Sequence, residues 1–200
     1  MIVLIRHGET EGNRQRVLQV AETPLNAQGM AQAERLATRI AQRRVGLILC
    51  SDLPRAQMTA APVVARLSVP IEYTPLLQER NFGALRGTPY AALQTDPFAP
   101  DFHPPEGESW DVFHARVAEA FAFVVEKRGQ IEGELVVVTH GLVLRVLLAQ
   151  HAQRSEGIEV PGYFEHTSVS LVAAEPPHGV SLINCAVHLA QGESGGGALV

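Results

Sequence analysis

Residues 2–10 read IVLIRHGET, a run of four apolar residues followed at once by Arg6 and His7. Four apolar residues in a row predict a short strand buried in the core. In an open α/β sheet, ligands bind beyond the carboxyl ends of the strands, which is where Arg6 and His7 would stand. The stretch therefore predicts a rigid core strand that presents two polar side chains at a ligand-binding edge.

Further apolar runs predict the other strands, at residues 47–50, 71–73, 135–138, 169–173 and 180–183. Amphipathic or apolar segments between them predict helices. This alternation predicts a single-domain α/β protein, a three-layer α/β/α sandwich around a mostly parallel sheet. The link at residues 175–179, EPPHG, is rich in turn residues and favours antiparallel pairing of the last two strands.

The helices have recognisable starts and faces. Asn26 can cap a helix over residues 27–43, Pro54 suits the first turn of a second, and Ser109 can cap a third. A fourth, largely buried helix is predicted over residues 142–150. Spacing predicts that these side chains face the core: Met30, Ala33, Leu36, Ala37, Ile40, Met58, Ala61, Ala65, Phe113, Val117, Phe121 and Val124.

Composition excludes several classes of function. The chain has 200 residues, 46% of them hydrophobic and 18% charged, with a net charge of −5, so nucleic-acid binding is disfavoured. No apolar run is long enough to span a membrane, and the start of the chain does not resemble a signal peptide. Cys50 and Cys185 show no disulfide or metal pattern, which favours a cytoplasmic protein. We expect a domain over residues 1–190 and a flexible glycine-rich tail over residues 191–200.

Polar residues follow several of the predicted strands and would meet at one edge of the sheet. Arg6 and His7 follow the first, Arg55 lies at the start of the helix after the second, and His140 follows the fourth. Glu79 comes shortly after the third. Arginines, a histidine cation and helix N-termini suit a tetrahedral dianion such as a phosphoryl group. A second, neutral histidine can attack phosphorus, and a glutamate can move the proton.

Four ordered motifs in the chain resemble those of the histidine phosphatase superfamily, which includes the cofactor-dependent phosphoglycerate mutases. They are LIRHGET at residues 4–10 with Asn13, SDLPRA at 51–56, LLQER at 76–80, and THG at 139–141 followed by Arg145. The resemblance spans most of the chain and implies a phosphoglycerate mutase-like fold.

The resemblance implies a role for each matching position. His7 would be the nucleophile that becomes a phosphohistidine, and Glu79 would be the proton donor. The phosphoryl oxygens would be bound by Arg6, Arg55 and His140, with help from Asn13 and from Gly141 and Leu142 of the fourth motif; Arg86 is a further candidate substrate contact. No metal site and no organic cofactor is implied. The partner would be a small phosphate ester.

The motifs leave the reaction open between a phosphomonoester hydrolase and a mutase. Two features favour the hydrolase: residues 87–108 contain no Arg or Lys, and Leu142 stands where the mutase pattern has asparagine. Arg86 points the other way, because phosphatases of this size often have an acidic residue there. A phosphate-binding module without turnover is a third possibility.

The substrate and the oligomeric state are less well defined. The irregular segment 96–108 contains four prolines and is expected to shape the pocket. Its lack of positive charge favours a substrate with one phosphate and a neutral or partly apolar body. An exposed sheet edge within residues 169–183 would suit a homodimer.

Overall fold

The computed structural model describes residues 1–190. Within this part of the chain the strands are β1 (Ile2–Arg6), β2 (Val45–Ser51), β3 (Ile71–Thr74), β4 (Glu134–Thr139), β5 (Val169–Val172) and β6 (Val180–Cys185). The helices are α1 (Glu11–Arg14), α2 (Ala27–Ile40), α3 (Pro54–Leu67), α4 (Trp110–Gly129), α5 (Gly141–Gln150) and α6 (Val187–Ala190). The predicted flexible tail, residues 191–200, lies outside the described residues.

The strands form one sheet in the order β3-β2-β4-β1-β5-β6. Strands β1 to β4 are mutually parallel, and β5 and β6 are antiparallel to their neighbours, as the turn-rich link predicts. Arg6, the last residue of β1, pairs with Thr139, the last residue of β4. The residues that follow β1, β2 and β4 therefore emerge together at one edge of the sheet.

Helices cover both faces of this sheet, which confirms the three-layer α/β/α sandwich. Val3 and Ile5 of β1 point toward α2 and α3, whereas Ile2 and Leu4 point toward α4 and α5. These four side chains are fully buried. Each contributes about 1.5–3 kcal/mol of hydrophobic free energy, so β1 is a rigid mount for the residues that follow it.

The buried faces of α2 and α3 differ in part from the prediction. Met30 is 45% exposed, and Ala61 and Ala65 are also exposed. Helix α2 instead turns Gly29 inward, where a Cβ atom would lie 2.1 Å from the Glu9 carbonyl oxygen. The close approach of this helix to the loop after β1 explains the rotated face. In α3, the inward positions belong to residues that reach the sheet edge or the core: Arg55, Ala56, Thr59, Ala60 and Val63.

Two further predictions concern the helix ends and the sheet edge. Asn26 caps α2 by accepting from the Gly29 N–H, and Ser109 caps α4 by accepting from the Val112 N–H, but α2 ends at Ile40 rather than near residue 43. Within residues 1–190, β6 is the outermost strand on its side of the sheet.

No helix in that part of the chain has the length and apolar content needed to cross a bilayer.

Candidate active site

A cavity of about 750 Å³ opens at the carboxyl ends of β1, β2 and β4. Eight of the nine residues predicted for the site line this cavity: Arg6, His7, Asn13, Arg55, Glu79, Arg86, Gly141 and Leu142. The ninth, His140, is fully buried beside His7, with 5.0 Å between the two ring centroids. The structure thus brings together side chains that are up to 136 positions apart in the sequence, as 142 minus 6 shows.

The ring of His7 is held in one tautomer. Its Nδ1 lies 2.6 Å from the carbonyl oxygen of Gly8, and because a carbonyl oxygen only accepts, Nδ1 must carry the proton. Burial lowers the pKa of His7 well below its usual range, and the neighbouring His140, Arg55 and Arg6 lower it further. The ring is therefore neutral, and Nε2 has a free lone pair. A neutral imidazole in this state is a competent nucleophile.

Two buried guanidinium groups stand beside His7. Arg6 donates from Nη1 to the carbonyl oxygen of Phe164 and stacks on the ring of Tyr163, with its Cζ atom 4.6 Å from the ring centroid. Arg55 donates weakly from Nη1 to two carbonyl oxygens of the loop after α1. The Nε atoms of both arginines are buried and have no partner within residues 1–190. Such unsatisfied donors are costly unless an anion is bound to them.

Arg55 remains suited to an anion at neutral pH. Burial lowers the pKa of Arg55 to about 10, although the nearby Glu79 carboxylate opposes the shift. A group with this pKa is still protonated at pH 7, so Arg55 is a cation in the working range.

His140 differs from the histidine cation expected from the sequence. Burial lowers its pKa well below the usual range, and the charges of Arg55 and Arg6 add to the effect. Ser51 Oγ accepts from the Leu53 N–H and lies 2.9 Å from His140 Nε2, so its hydroxyl can donate to that atom. Nδ1 then carries the proton, and it is buried without a partner within the described residues. Neutral His140 therefore keeps one buried N–H that no group of the described residues accepts.

Glu79 also lines the cavity, and both of its carboxyl oxygens accept hydrogen bonds. Oε1 accepts from the Arg80 N–H at 3.0 Å, and Oε2 accepts from the Leu142 N–H at 3.2 Å. Burial raises the pKa of Glu79, and these two N–H groups together with Arg55 and Arg6 counter part of the rise. A carboxyl group with a raised pKa can hold a proton at mildly acidic to neutral pH and give it up during a reaction.

The side chains of Thr59 and Asn13 fix the loop after β1. Thr59 Oγ1 accepts from the Gly8 N–H at 2.9 Å and donates to the Arg55 carbonyl oxygen at 2.6 Å. Asn13 Oδ1 accepts from both the N–H and the hydroxyl of Thr10. Its amide Nδ2 is the part of Asn13 that a ligand can engage.

Proteins of known sequence and structure match this arrangement. The sequence profile of the histidine phosphatase superfamily (branch 1) matches residues 2–183. The chain belongs to the histidine phosphatase superfamily. It is similar to the adenosylcobalamin/alpha-ribazole phosphatase of Escherichia coli, with 34% identity over 157 residues, covering 74% of this chain and 76% of that protein.

Other relatives are named for either of the two activities, phosphatase or phosphoglycerate mutase. A phosphoglycerate mutase-like protein of Arabidopsis thaliana is 31% identical over 174 residues, covering 79% of this chain and 74% of the relative. The crystal structure of the alpha-ribazole phosphatase from Shigella flexneri superposes with a TM-score of 0.78 at 26% identity, covering 92% of this chain and 96% of that one. The predicted family and phosphoglycerate mutase-like fold are confirmed, and the chain is a phosphatase-type enzyme of this superfamily.

Just before β5, two further residues that the sequence patterns did not predict, Tyr163 and His166, line the cavity. Tyr163, stacked on Arg6, also reaches His166, with 3.2 Å between its hydroxyl and His166 Nε2. Burial lowers the pKa of His166 to about 3, and the charge of Arg6 adds to the shift. His166 is thus a neutral neighbour of His7. The only sequence signal for this region is that residues 166–170, HTSVS, resemble a segment found late in the sequences of the superfamily.

Two further arginines fix the segment that carries Glu79. Arg80 stacks on Trp110 at 3.9 Å and donates to the carbonyl oxygens of Pro97, Phe102 and Glu108, so it holds the segment 96–108 in place. Arg116 forms a two-pronged ion pair with Glu108 at 2.7 and 2.8 Å.

The Arg116–Glu108 pair also holds the backbone around Glu79. Arg116 donates to the carbonyl oxygens of Leu76, Gln78 and Glu79. Glu108 Oε2 accepts from the Asn81 N–H at 2.8 Å. The two side chains therefore hold the main chain on both sides of Glu79, and Glu108 supports the site without lining the cavity. Within residues 1–190, no group of three or more His, Cys, Asp or Glu residues could hold a metal ion.

We expect Arg116→Ala to lower the kcat for alkyl phosphates, which have poor leaving groups, by about 10²-fold, because Glu79 loses its fixed position. The kcat for aryl phosphates, which need less help from an acid, should fall much less. The ratio of the two rates is the measurement, since a purely structural defect would lower both alike.

Arg43→Ala is the matched control for that substitution. It breaks another two-pronged pair, Arg43–Glu134, whose side chains are 28% and 20% exposed, against 18% and 14% for Arg116–Glu108. This pair lies at the opposite end of β4 from the cavity. Both variants should lose unfolding free energy, by up to about 3 kcal/mol. An unchanged rate ratio in Arg116→Ala would show that the pair does not position Glu79.

Proposed function

We propose that the enzyme hydrolyses phosphomonoesters of small metabolites through a phosphohistidine on His7. The observation that carries the proposal is the fixed tautomer of His7, whose free Nε2 shares a cavity with unpaired guanidinium donors and a protonatable carboxyl group. Anion binding alone requires neither a free ring nitrogen nor a proton donor. The similarity to known phosphatases supports hydrolysis as the overall reaction.

The reaction consists of two displacements at phosphorus. In the first, His7 Nε2 attacks, the bond from phosphorus to the ester oxygen breaks, and the Glu79 carboxyl group gives its proton to the departing oxygen. In the second, the Glu79 carboxylate takes a proton from water as the water oxygen attacks, and the bond from phosphorus to Nε2 breaks. Inorganic phosphate leaves with Glu79 protonated again, so the groups of the chain and water suffice for the cycle.

The phosphoryl oxygens are assigned to the donors around His7. Arg6 and Arg55 supply the two positive charges that a dianion needs, and His140 Nδ1 and Asn13 Nδ2 supply neutral donors. Helix α5 begins at Gly141, so the positive end of its dipole faces the same oxygens. These donors stabilise the charge that develops during transfer.

Residues 87–108 and Leu142 favour phosphatase activity over mutase activity. A mutase must keep water from the phosphohistidine and hold the acceptor, and residues 87–108 bring no Arg or Lys to that task. Leu142 adds an apolar side chain at the cavity where the mutase pattern has an amide.

A cytoplasmic location and a homodimer through β6 are further parts of the proposal.

The proposal is tested by following two products from one preparation. Incubation with 3-phosphoglycerate and a bisphosphorylated primer should release inorganic phosphate without forming 2-phosphoglycerate. Isomerisation without net phosphate release would identify a mutase. Saturable binding of inorganic phosphate together with no turnover of aryl or alkyl phosphates would identify a binding module.

A further inference from the structure

Residues 184–188, NCAVH, span the end of β6 and the start of α6 and lie against the segment that precedes β5. We call residues 184–188 the brace. Asn184 Oδ1 accepts from the Glu165 N–H at 2.7 Å, and Asn184 Nδ2 donates to the Tyr163 carbonyl oxygen at 3.1 Å. One side chain of the brace thus fixes the main chain on both sides of Phe164.

The brace is anchored on helix α2. Arg39 donates from Nη1 to the Cys185 carbonyl oxygen at 2.8 Å, and Arg35 donates from Nη1 to the carbonyl oxygen of Leu189, one residue after the brace. Leu36 and Ile40 of the same helix are fully buried in the core. The brace therefore rests on a rigid element, which is what precise positioning of other groups requires.

A row of three hydrogen bonds runs through His188, and each bond has one possible direction. Arg39 Nη1 lies 3.1 Å from His188 Nδ1, and because a guanidinium only donates, Nδ1 accepts and Nε2 carries the ring proton. Nε2 lies 3.0 Å from Thr167 Oγ1 and donates to it. The Thr167 hydroxyl in turn donates to the His166 carbonyl oxygen at 2.7 Å. Hydrogen bonds that share one direction in a buried row strengthen one another.

Burial keeps this row of hydrogen bonds intact at neutral pH. His188 is 6% exposed, and Thr167 is fully buried. Burial lowers the pKa of His188 to about 4, and the charges of Arg39 and Arg35 add to the shift. The His188 ring is therefore neutral at pH 7, and its Nδ1 stays available as the acceptor for Arg39.

Thr167 occupies a backbone position that favours glycine. Its φ angle is 57°, in the left-handed region, although the residue is β-branched. The Ser168 N–H donates to the Glu165 carbonyl oxygen, so Thr167 lies within a tight turn just before β5. Glycine would serve such a turn without strain. The hydroxyl that threonine adds is the group to which His188 donates, and this contact gives the strained residue a purpose.

The same turn contacts the two residues at the centre of the site. The Thr167 N–H donates to the carbonyl oxygens of Arg6 and His7, at 3.1 and 3.4 Å. The carbonyl oxygen of Phe164, which lies between the two residues that Asn184 holds, accepts from Arg6 Nη1. The segment before β5 therefore holds the main chain of Arg6 and His7 and one end of the Arg6 guanidinium.

We propose that Asn184, His188 and Thr167 are positioning residues, which set the Arg6 guanidinium and His7 Nε2 in line with the phosphoryl group. The proposal rests on the function proposed above. None of these three side chains lines the cavity, so each acts through the main chain of residues 163–168. A displacement of about 1 Å at the reacting atoms can lower the rate by about 10²-fold, and the brace prevents such a displacement.

The test follows formation of the phosphohistidine in enzyme that carries Glu79→Gln, because this substitution removes the base of the second displacement and leaves the label on His7. A radiolabelled aryl phosphate then gives the rate constant of labelling and the final label per chain. Adding Thr167→Gly should lower the rate constant about 10–10²-fold and leave the final label unchanged. Partial unfolding would have the opposite signature, a lower final label at an unchanged rate constant.

Substitutions at both ends of the hydrogen bond identify it as the cause. Glycine suits the φ angle of residue 167, so Thr167→Gly removes the hydroxyl and keeps the fold, whereas Thr167→Ser keeps the hydroxyl and should label at close to the original rate constant. His188→Leu should also be slowed. The variant that combines His188→Leu with Thr167→Gly should be little slower than Thr167→Gly alone, because both changes break the same bond.

His178→Leu is the matched control. His178 is a partly buried histidine whose Nδ1 lies 3.2 Å from the Ala173 carbonyl oxygen. It belongs to the link between β5 and β6, at the opposite end of these strands from Thr167 and the brace. Its removal should change neither the rate constant of labelling nor the final label.

The outcomes distinguish this proposal from the function on which it rests. Rate constants within about twofold of the original in both Thr167→Gly and His188→Leu, or a Thr167→Ser variant as slow as Thr167→Gly, would overturn the positioning role while the phosphohistidine stands. If Glu79→Gln alone gains no label, the proposed mechanism fails. Calorimetric titration of inorganic phosphate then decides the positioning role, because Arg6 binds that anion as well. Affinity about tenfold weaker in Thr167→Gly than in Thr167→Ser is expected, and equal affinities would overturn the proposal.

Discussion

His7→Ala is expected to lower kcat/KM for every phosphate ester by at least about 10⁴-fold, because the variant has no group that can form the covalent intermediate. The remaining donors, Arg6, Arg55 and His140, still bind the phosphoryl group, so the affinity for inorganic phosphate should change little. The measurement combines phosphate release from an aryl phosphate with calorimetric titration of phosphate.

The control for this variant is His151→Ala. His151 follows the last residue of α5, at the far end of the helix from Gly141, and stacks on Phe121. Its removal alters a partly buried histidine of the same chain without touching the cavity, and turnover should persist. Turnover in His7→Ala within tenfold of the unaltered rate would show that another group attacks phosphorus.

Glu79→Gln is expected to lower kcat for alkyl phosphates by about 10²–10⁴-fold, the usual range for loss of a general acid. Glutamine keeps the shape of the side chain, and its Oε1 can accept from the N–H of Arg80 or of Leu142, but its amide nitrogen cannot accept from the other N–H and the side chain cannot deliver a proton. Aryl phosphates, whose leaving groups are stable anions, should lose much less in the first displacement.

The same variant should change the pH profile in a defined way. Hydrolysis needs His7 neutral and Glu79 protonated. Since the pKa of His7 is lowered and that of Glu79 is raised, kcat/KM should be highest at mildly acidic to neutral pH and fall as pH rises through the pKa of Glu79. In Glu79→Gln the fall at high pH should disappear from the residual activity. A fall that persists unchanged would assign it to another group.

Much of the site could be predicted because its polar side chains come directly after the strands in the sequence. Arg6, His7 and His140 each come directly after an apolar run, and parallel pairing of β1 with β4 brings such residues together whatever their separation in sequence. The capping residues Asn26 and Ser109 were equally predictable, because a polar side chain directly before an amphipathic segment can accept a hydrogen bond from a free N–H of the helix's first turn.

What the sequence could not supply depends on packing between distant segments. Arg116 sits one helical turn from Val112 and Phe113 and looks like an ordinary surface arginine of α4. Only the tertiary fold brings it to the backbone of Glu79. The neutral state of His140 likewise follows from burial beside Arg55, which no local pattern reports.

The predicted buried faces of helices α2 and α3 were partly wrong for a related reason. Spacing alone favoured Met30 as a core residue, yet the helix approaches the loop after β1 through Gly29, which no apolar pattern marks.

The central claim is that His7 Nε2 carries the phosphoryl group between the two displacements. Glu79→Gln mixed with a radiolabelled aryl phosphate and quenched in alkali tests it, because the first step needs little acid help whereas the second lacks its base. The account predicts rapid labelling that approaches one phosphoryl group per chain, mapped to His7, stable in alkali and lost in acid. Continued release of inorganic phosphate by the unaltered enzyme, with no label on His7 in either protein, would contradict it.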